Sequence, residues 1–236
     1  MTEINIGFGD WKLEIDLMGG RIKELRYGDK VVLGTYHRND GKIANTHLCV
    51  PNFANEGVGK FQLPAHGPVR NGLWRVAKGN KNCFQISFEF QNVGAYPGHI
   101  EVQQKYRLEG NNLLHEIEVK NLGAKSPVNV GIHNYFEMPQ GWKDLKINGE
   151  NMNEKVKKSG YIALKPQNEI FVPGRGMMDW EIGGFQYSKL WVSEGDKNYV
   201  CIEPVRGREE FIENRESFLK SGETLKLYQK FGISGF

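Results

Sequence analysis

Alternation of apolar and polar residues runs through the middle of this chain and leaves little room for anything but antiparallel sheet. Phe84, Ile86, Phe88 and Phe90 fall on one side of an extended segment, with Gln85, Ser87 and Glu89 on the other. Side chains alternate with period two along a strand, whereas a helix needs a period near 3.6. The pattern repeats at Ile100, Val102, Tyr106 and Leu108, with Gln104 in step, and again at Leu113, His115, Ile117 and Val119. Between these two runs lies Glu109-Gly-Asn-Asn112, a set of residues suited to closing a hairpin. Further strands are expected at 12–17, 21–27, 161–165, 187–193, 199–203 and 225–233, separated by Gly- and Pro-containing turns.

Helical signals are sparse. Residues 208–219 offer an imperfect apolar stripe of Phe211, Ile212, Phe218 and Leu219, enough for one short helix. Strands do not alternate with helices as a parallel sheet requires. The expected architecture is therefore all-β, an antiparallel β-sandwich with one large, strongly twisted sheet. No repeat or linker divides the chain, so residues 1–236 are expected to form a single domain.

Composition excludes several functional classes. The 31 basic and 28 acidic residues leave a net charge of only +3, and acidic residues interrupt both basic stretches, 143–158 and 206–215. A nucleic-acid face would need a one-signed patch with stacking aromatics, so no nucleic-acid partner is expected. No apolar run reaches the length of a membrane span, so no membrane partner is expected either. The three cysteines, Cys49, Cys83 and Cys201, form no CxxC pair, and the first residues show no secretory signal, which points to reduced thiols and a cytoplasmic protein. His47 and Cys49 stand two apart, but no second pair completes a metal-ligand set in the sequence, and no metal or cofactor is expected. A G-x-S-x-G nucleophile motif is absent, and the cysteines lack surroundings that would activate a thiol, which leaves acid–base chemistry.

Four clusters carry groups suited to it. Gly131-Ile-His-Asn-Tyr-Phe-Glu-Met-Pro139 places His133 beside Tyr135 and Phe136 at the end of an apolar strand. Leu63-Pro-Ala-His-Gly-Pro-Val-Arg-Asn-Gly-Leu-Trp74 sets His66 and Arg70 in a Pro/Gly loop before a tryptophan. In Tyr199-Val-Cys-Ile-Glu-Pro204, alternation puts Glu203 on one face with Tyr199 and Cys201. The following proline suggests a sheet rim, since prolines favour strand edges and ends. Gly176-Met-Met-Asp-Trp180 supplies a loop acid, Asp179. Each is also compatible with an ordinary structural role: a satisfied core histidine, a solvated loop or a rim carboxylate. The remaining histidines fit less well, with His37 and His47 in a polar loop region and His115 on a strand face.

In chain order these pieces resemble the aldose 1-epimerase (galactose mutarotase-like) family. Gly19-Gly-Arg-Ile-Lys-Glu-Leu-Arg-Tyr27 is similar to its first hairpin, residues 63–74 to its His-Gly loop, and residues 96–108, with Val119-Lys-Asn-Leu-Gly123, to its central strand pair. His133-Asn-Tyr-Phe136 resembles its His-x-Tyr-Phe motif, Cys201-Ile-Glu-Pro204 its Glu-Pro strand end, and Ser221-Gly-Glu-Thr224 its last turn. The resemblance implies a sugar substrate and interconversion of anomers, with His133 as general acid and Glu203 as general base. It also implies a substrate-binding or secondary catalytic role for His66; Arg70 and Tyr135 are further candidates for binding substrate, as is Asp179, which matches no family motif. Where family members often carry an arginine before the His-Gly loop, this chain reads Asn55-Glu-Gly-Val-Gly-Lys60. The substrate is thereby left open between an aldohexose and a hexose 6-phosphate. A carbohydrate-binding module of the same fold without turnover is the alternative.

Overall fold

The computed structural model describes residues 2–208 and 210–235. Among them, two nine-stranded antiparallel sheets face each other. The first runs from one edge through β1 (Glu3–Phe8), β2 (Trp11–Asp16), β3 (Arg21–Tyr27) and β4 (Lys30–Leu33). It continues through β13 (Gly131–Glu137), β20 (Tyr199–Val205), β19 (Tyr187–Trp191) and β16 (Tyr161–Ala163), while β7 (His47–Cys49) pairs with β13 off that path. The second begins at β15 (Glu150–Asn151), β14 (Lys146–Ile147), β17 (Gln167–Val172) and β18 (Gly176–Gly183). It continues through β22 (Thr224–Gly235), β11 (Asn112–Asn121), β10 (Ile100–Glu109), β9 (Cys83–Phe90) and β8 (Arg75–Gly79). Two small ribbons, β5 (Tyr36–His37) with β6 (Ile43–Ala44) and β12 (Ser126–Pro127) with β21 (Phe218–Leu219), complete the strands. The α-helices, Val58–Phe61 and Asn153–Lys157, are single turns.

The period-two pattern sorts the second sheet into faces. Ile86, Val102, Ile117 and Leu227 are buried between the sheets. On the outer face Glu116 holds Lys105 at 2.9 Å and Glu118 holds Lys226 at 3.2 Å. Such exposed pairs contribute little, so the sandwich rests on apolar burial. Aromatic rings join the layers: Phe136 of β13 meets Phe231 of β22 edge-on at 5.7 Å, and Phe231 stacks with Trp180 of β18.

One polar chain crosses this apolar interior. Gln104 donates to the Gly20 carbonyl, and its own side-chain oxygen accepts from Tyr106 and lies 3.0 Å from His115 Nε2. His115 Nδ1 faces the Gln229 amide nitrogen at 3.3 Å, and Gln229 exchanges hydrogen bonds with Asn134 of β13. Asn134 ends the chain by donating to the Ile202 carbonyl. A buried polar group left unpaired costs about 1–3 kcal/mol, and here the members satisfy one another.

Two expectations differ from the structure. Sheet strands are shared equally between two layers rather than concentrated in one large sheet. In the stretch 208–219, of which residue 209 lies outside the described residues, the chain forms two 3₁₀ turns, Phe211–Glu213 and Arg215–Ser217, and then a strand, not a helix. The reason is Asn214, whose side-chain oxygen accepts from Glu216 N–H and so offers the backbone a local alternative to helix propagation.

Replacing Phe231 with alanine removes the ring that touches both sheets and is expected to cost about 3–5 kcal/mol in a urea titration. Burial pushes His115 down to about 3, so it stays neutral in the fold where the unfolded chain would charge it. Below about pH 6.5 the unfolded state binds the extra proton, and stability present above that pH is lost as the pH falls toward 3. Unfolding titrations between neutrality and pH 4 should show this decline, and His115→Asn should make it shallower. An unchanged slope would remove His115 as its source.

Candidate active site

The site is built on the face of β13 that turns away from the second sheet. All residues from Gly131 to Phe136 are buried, with Ile132, Asn134 and Phe136 directed to the core and His133 and Tyr135 to the opposite side. β20 lies alongside in a register that pairs Asn134 with Ile202 and Gly131 with Val205, which sets His133 opposite Glu203. Their side chains meet, His133 Nε2 lying 3.0 Å from Glu203 Oε1.

Glu203 is not at a rim. It is 2% exposed on a strand enclosed by β13 and β19, and β20 runs on through Pro204 to Val205. Arg206 N–H reaches the Val130 carbonyl, so two residues earlier the Pro204 nitrogen also faces β13, opposite Ile132. It has no hydrogen to give, and the recorded pairing with β13 lapses there. The missing bond lies next to the His133–Glu203 contact, and β20 stays paired with β19 at Pro204.

The loop histidine arrives from another direction. β7 pairs with the other edge of β13, placing His47 across from His133 and Cys49 across from Gly131. The chain then turns at His66, whose φ of 64° is left-handed, and at Gly67. A Cβ at residue 67 would lie 1.9 Å from the Val50 carbonyl oxygen, so only glycine allows this approach. The His66 ring consequently stands edge-on to both His133, at 5.5 Å, and His47, at 5.6 Å. Tyr135, His133 and His47 form a stacked column with centroid spacings of 4.8 and 5.0 Å. Burial, with the neighbouring His133 and Arg70, pushes His66 down to about 3, and burial likewise holds His47 well below its ordinary value.

Arg70 ends the short 3₁₀ turn Pro68–Arg70, and its carbonyl is gripped by Arg21 at 2.9 Å. Its Nε is buried and has no hydrogen-bond partner. The same holds for His133 Nδ1 and His47 Nε2, while Glu203 Oε1 faces His133 Nε2 at 3.0 Å without hydrogen-bond alignment. Several unsatisfied polar atoms in one place are unusual in a folded core and indicate a site built to receive hydroxyl or other polar groups.

His133, Glu203, His66, Arg70 and Tyr135 therefore converge. Asp179 does not: it lies on β18 of the second sheet, exposed and paired in register with Glu169. Its neighbours Met178 and Trp180 take the buried face, and alternation sends Asp179 outward. Sequence reasoning missed three neighbours. His47 was hidden because a three-residue strand is too short to show alternation. Trp191, 5.7 Å from His133, and Arg38, whose guanidinium covers the Trp191 ring at 4.9 Å, lie far apart in the chain. The fold also completes two ligand-like groups that spacing did not reveal, His47–Cys49–His66 and His133–Cys201–Glu203, the candidate atoms of each lying within 4.8 Å of one another.

A sequence profile of the family described as aldose 1-epimerase matches residues 23–165, more than half of the chain. The chain belongs to the aldose 1-epimerase family. The match spans His66, Arg70, His133 and Tyr135 and stops before Glu203. No curated protein sequence matches the chain significantly. Among solved structures, a putative aldose 1-epimerase from Escherichia coli K12 superposes with a TM-score of 0.80 at 18% identity, covering 100% of this chain and 99% of that one. A galactose mutarotase related enzyme from Lactobacillus acidophilus gives 0.80 at 16% identity, covering 99% and 98%. Galactose 1-epimerase from Lactobacillus acidophilus NCFM gives 0.65 at 12% identity, covering 98% and 93%. At these identities the likeness is one of fold, and the galactose mutarotase-like sandwich is the fold of this chain.

Gly67→Ala should displace the His66 turn from Val50. The expected result is a lower melting temperature, while a variant as stable as wild type would show that this close approach is dispensable.

Proposed function

We propose that this protein is an aldose 1-epimerase that interconverts the α and β anomers of an aldohexose, free or 6-phosphorylated, with Glu203 as general base and His133 as general acid. The observation that carries the reading is the buried His133–Glu203 contact at 3.0 Å, reached from two adjacent strands and ringed by His66, Arg70 and Tyr135.

The chemistry needs two groups close together. The anomeric hydroxyl and the ring oxygen share C1, so a base serving one and an acid serving the other must stand within a sugar ring's width. Glu203 takes the proton from the hydroxyl on C1 while His133 gives one to the ring oxygen. The C1–ring oxygen bond breaks and the aldehyde forms. Rotation about C1–C2 presents the other carbonyl face. The ring oxygen then attacks C1, returning its proton to His133, as the new hydroxyl regains one from Glu203. Both groups end as they began, so one cycle needs no added reagent. The direct His133–Glu203 contact gives way to one contact with each sugar oxygen.

Each acid or base of this kind contributes about 10²–10⁴-fold, so two acting together lower the barrier by roughly 5–11 kcal/mol. His66, held neutral, can accept from a sugar hydroxyl on one nitrogen. Arg70 supplies donors for a hydroxyl or a phosphate oxygen. Tyr135 and Trp191 give the ring apolar walls beside His133.

Anomer exchange measured by NMR on glucose, galactose and their 6-phosphates tests this. His133→Asn and Glu203→Gln are each expected to slow exchange by about 10²–10⁴-fold with the fold intact. Sugar binding that survives both substitutions, with no exchange above buffer in wild type, would instead identify a binding module.

A further inference from the structure

Next to the acid–base pair, on the β7 side, lies a cluster the sugar chemistry does not use in full. His47 and Cys49, two residues apart on β7, point the same way, and the strand is tied to β13 at both positions. His47 Nδ1 is 2.9 Å from the Asn45 carbonyl, so Nδ1 carries the ring hydrogen and donates it there. The lone pair is therefore on Nε2, which is buried and has no partner. A backbone carbonyl orienting one imidazole nitrogen while the other is free is the arrangement found behind metal-binding histidines. Cys49 Sγ lies 3.3 Å from His66 Nδ1. The donor atoms of all three residues lie within 4.8 Å of one another.

Tetrahedral zinc, with bonds of about 2.0–2.1 Å to nitrogen and about 2.3 Å to sulfur, holds its ligands roughly 3.3–3.6 Å apart. The Cys49–His66 separation already fits, and no pair needs to close by more than about 1.5 Å. Two imidazoles and one thiol match a borderline-soft cation better than the oxygen-seeking calcium or magnesium. The neighbouring His133–Cys201–Glu203 group is less suited, because its histidine and carboxylate already face each other.

We propose that His47, Cys49 and His66 form a binding site for a divalent cation of the zinc class, and that filling it withdraws His66 from the sugar. The second half rests on the function proposed above; the first does not. Binding replaces the thiol hydrogen with the cation: the S–H bond breaks, an S–metal bond forms, and one proton leaves to the buffer. Burial pushes the Cys49 thiol above its usual range, with Arg70 acting the other way, so the cation competes with a firmly held proton. The ionisable groups near the site are Arg70, His133 and Glu203.

The test uses the full chain, stripped by chelator and titrated with Co²⁺ and then Zn²⁺. The expected result is a near-ultraviolet thiolate-to-cobalt absorption that zinc displaces, with one proton released per ion. Cys49→Ser should abolish the absorption, Cys201→Ser should keep it, and circular dichroism checks that both fold. If Cys49→Ser does not fold, His47→Gln is expected to show the same loss. Cobalt binding without the absorption, or equal binding to Cys49→Ser, overturns the site. Zinc should also suppress sugar binding and anomer exchange in wild type but not in Cys49→Ser, and sugar uptake unchanged by bound zinc overturns the competition. The absorption is read without turnover, so it stands or falls separately from the mutarotase reading.

Discussion

Everything here hangs on a strand with no exposed side. β13 presents Ile132, Asn134 and Phe136 to the space between the sheets and His133 and Tyr135 to the site, and both sets are buried. A slip of one residue would exchange the two sets, driving an imidazole into the apolar core and two large apolar side chains into the pocket. Register is thus enforced from both faces. The same register brings His133 across from Glu203 on one neighbour and from His47 on the other. The geometry of the candidate site and the packing of the core are two outcomes of one alignment.

Long strands were the most legible part of the chain. Arg21–Tyr27 matches its expected bounds, and the hairpin of β10 and β11 turns where Glu109-Gly-Asn-Asn112 said it would. Such strands are half buried, and half-burial leaves a period-two trace. Glu203 was legible as a candidate site residue but not as a buried, central one, because a proline ordinarily marks an edge. What the sequence could not show is that the lost hydrogen bond lies inside the sheet, where β20 keeps β13 on one side and β19 on the other. Asp179 misled for a related reason: an acid beside a tryptophan resembles a pocket wall, yet in β18 alternation separates the two onto opposite faces.

The site itself was only half visible. His133 and Glu203 each end an apolar run and could be picked out locally. His47, Arg38 and Trp191 come from short or distant segments whose meeting depends on long-range pairing, which spacing does not encode. His66 joins them through backbone shape, a left-handed residue followed by a glycine pressed against Val50. A rigid two-strand base and a strained loop thus share the work of placement, the strands supplying precision and the loop supplying the approach.

The polar chain through the sandwich has a direction. His115 hands its Nε2 hydrogen to Gln104 and receives one at Nδ1 from Gln229, which is bonded in turn to Asn134. Each member's orientation is dictated by the one before it, like a row of keyed connectors, and four strands of two sheets each contribute one key. Anyone redesigning this core must therefore treat Gln104, His115, Asn134 and Gln229 as a single unit of sequence. An apolar replacement at one of them strands its neighbours, and even exchanging all four together strands the buried Tyr106 hydroxyl unless it is replaced with them. The backbone beside the candidate site is in this way tied to choices made on the far sheet.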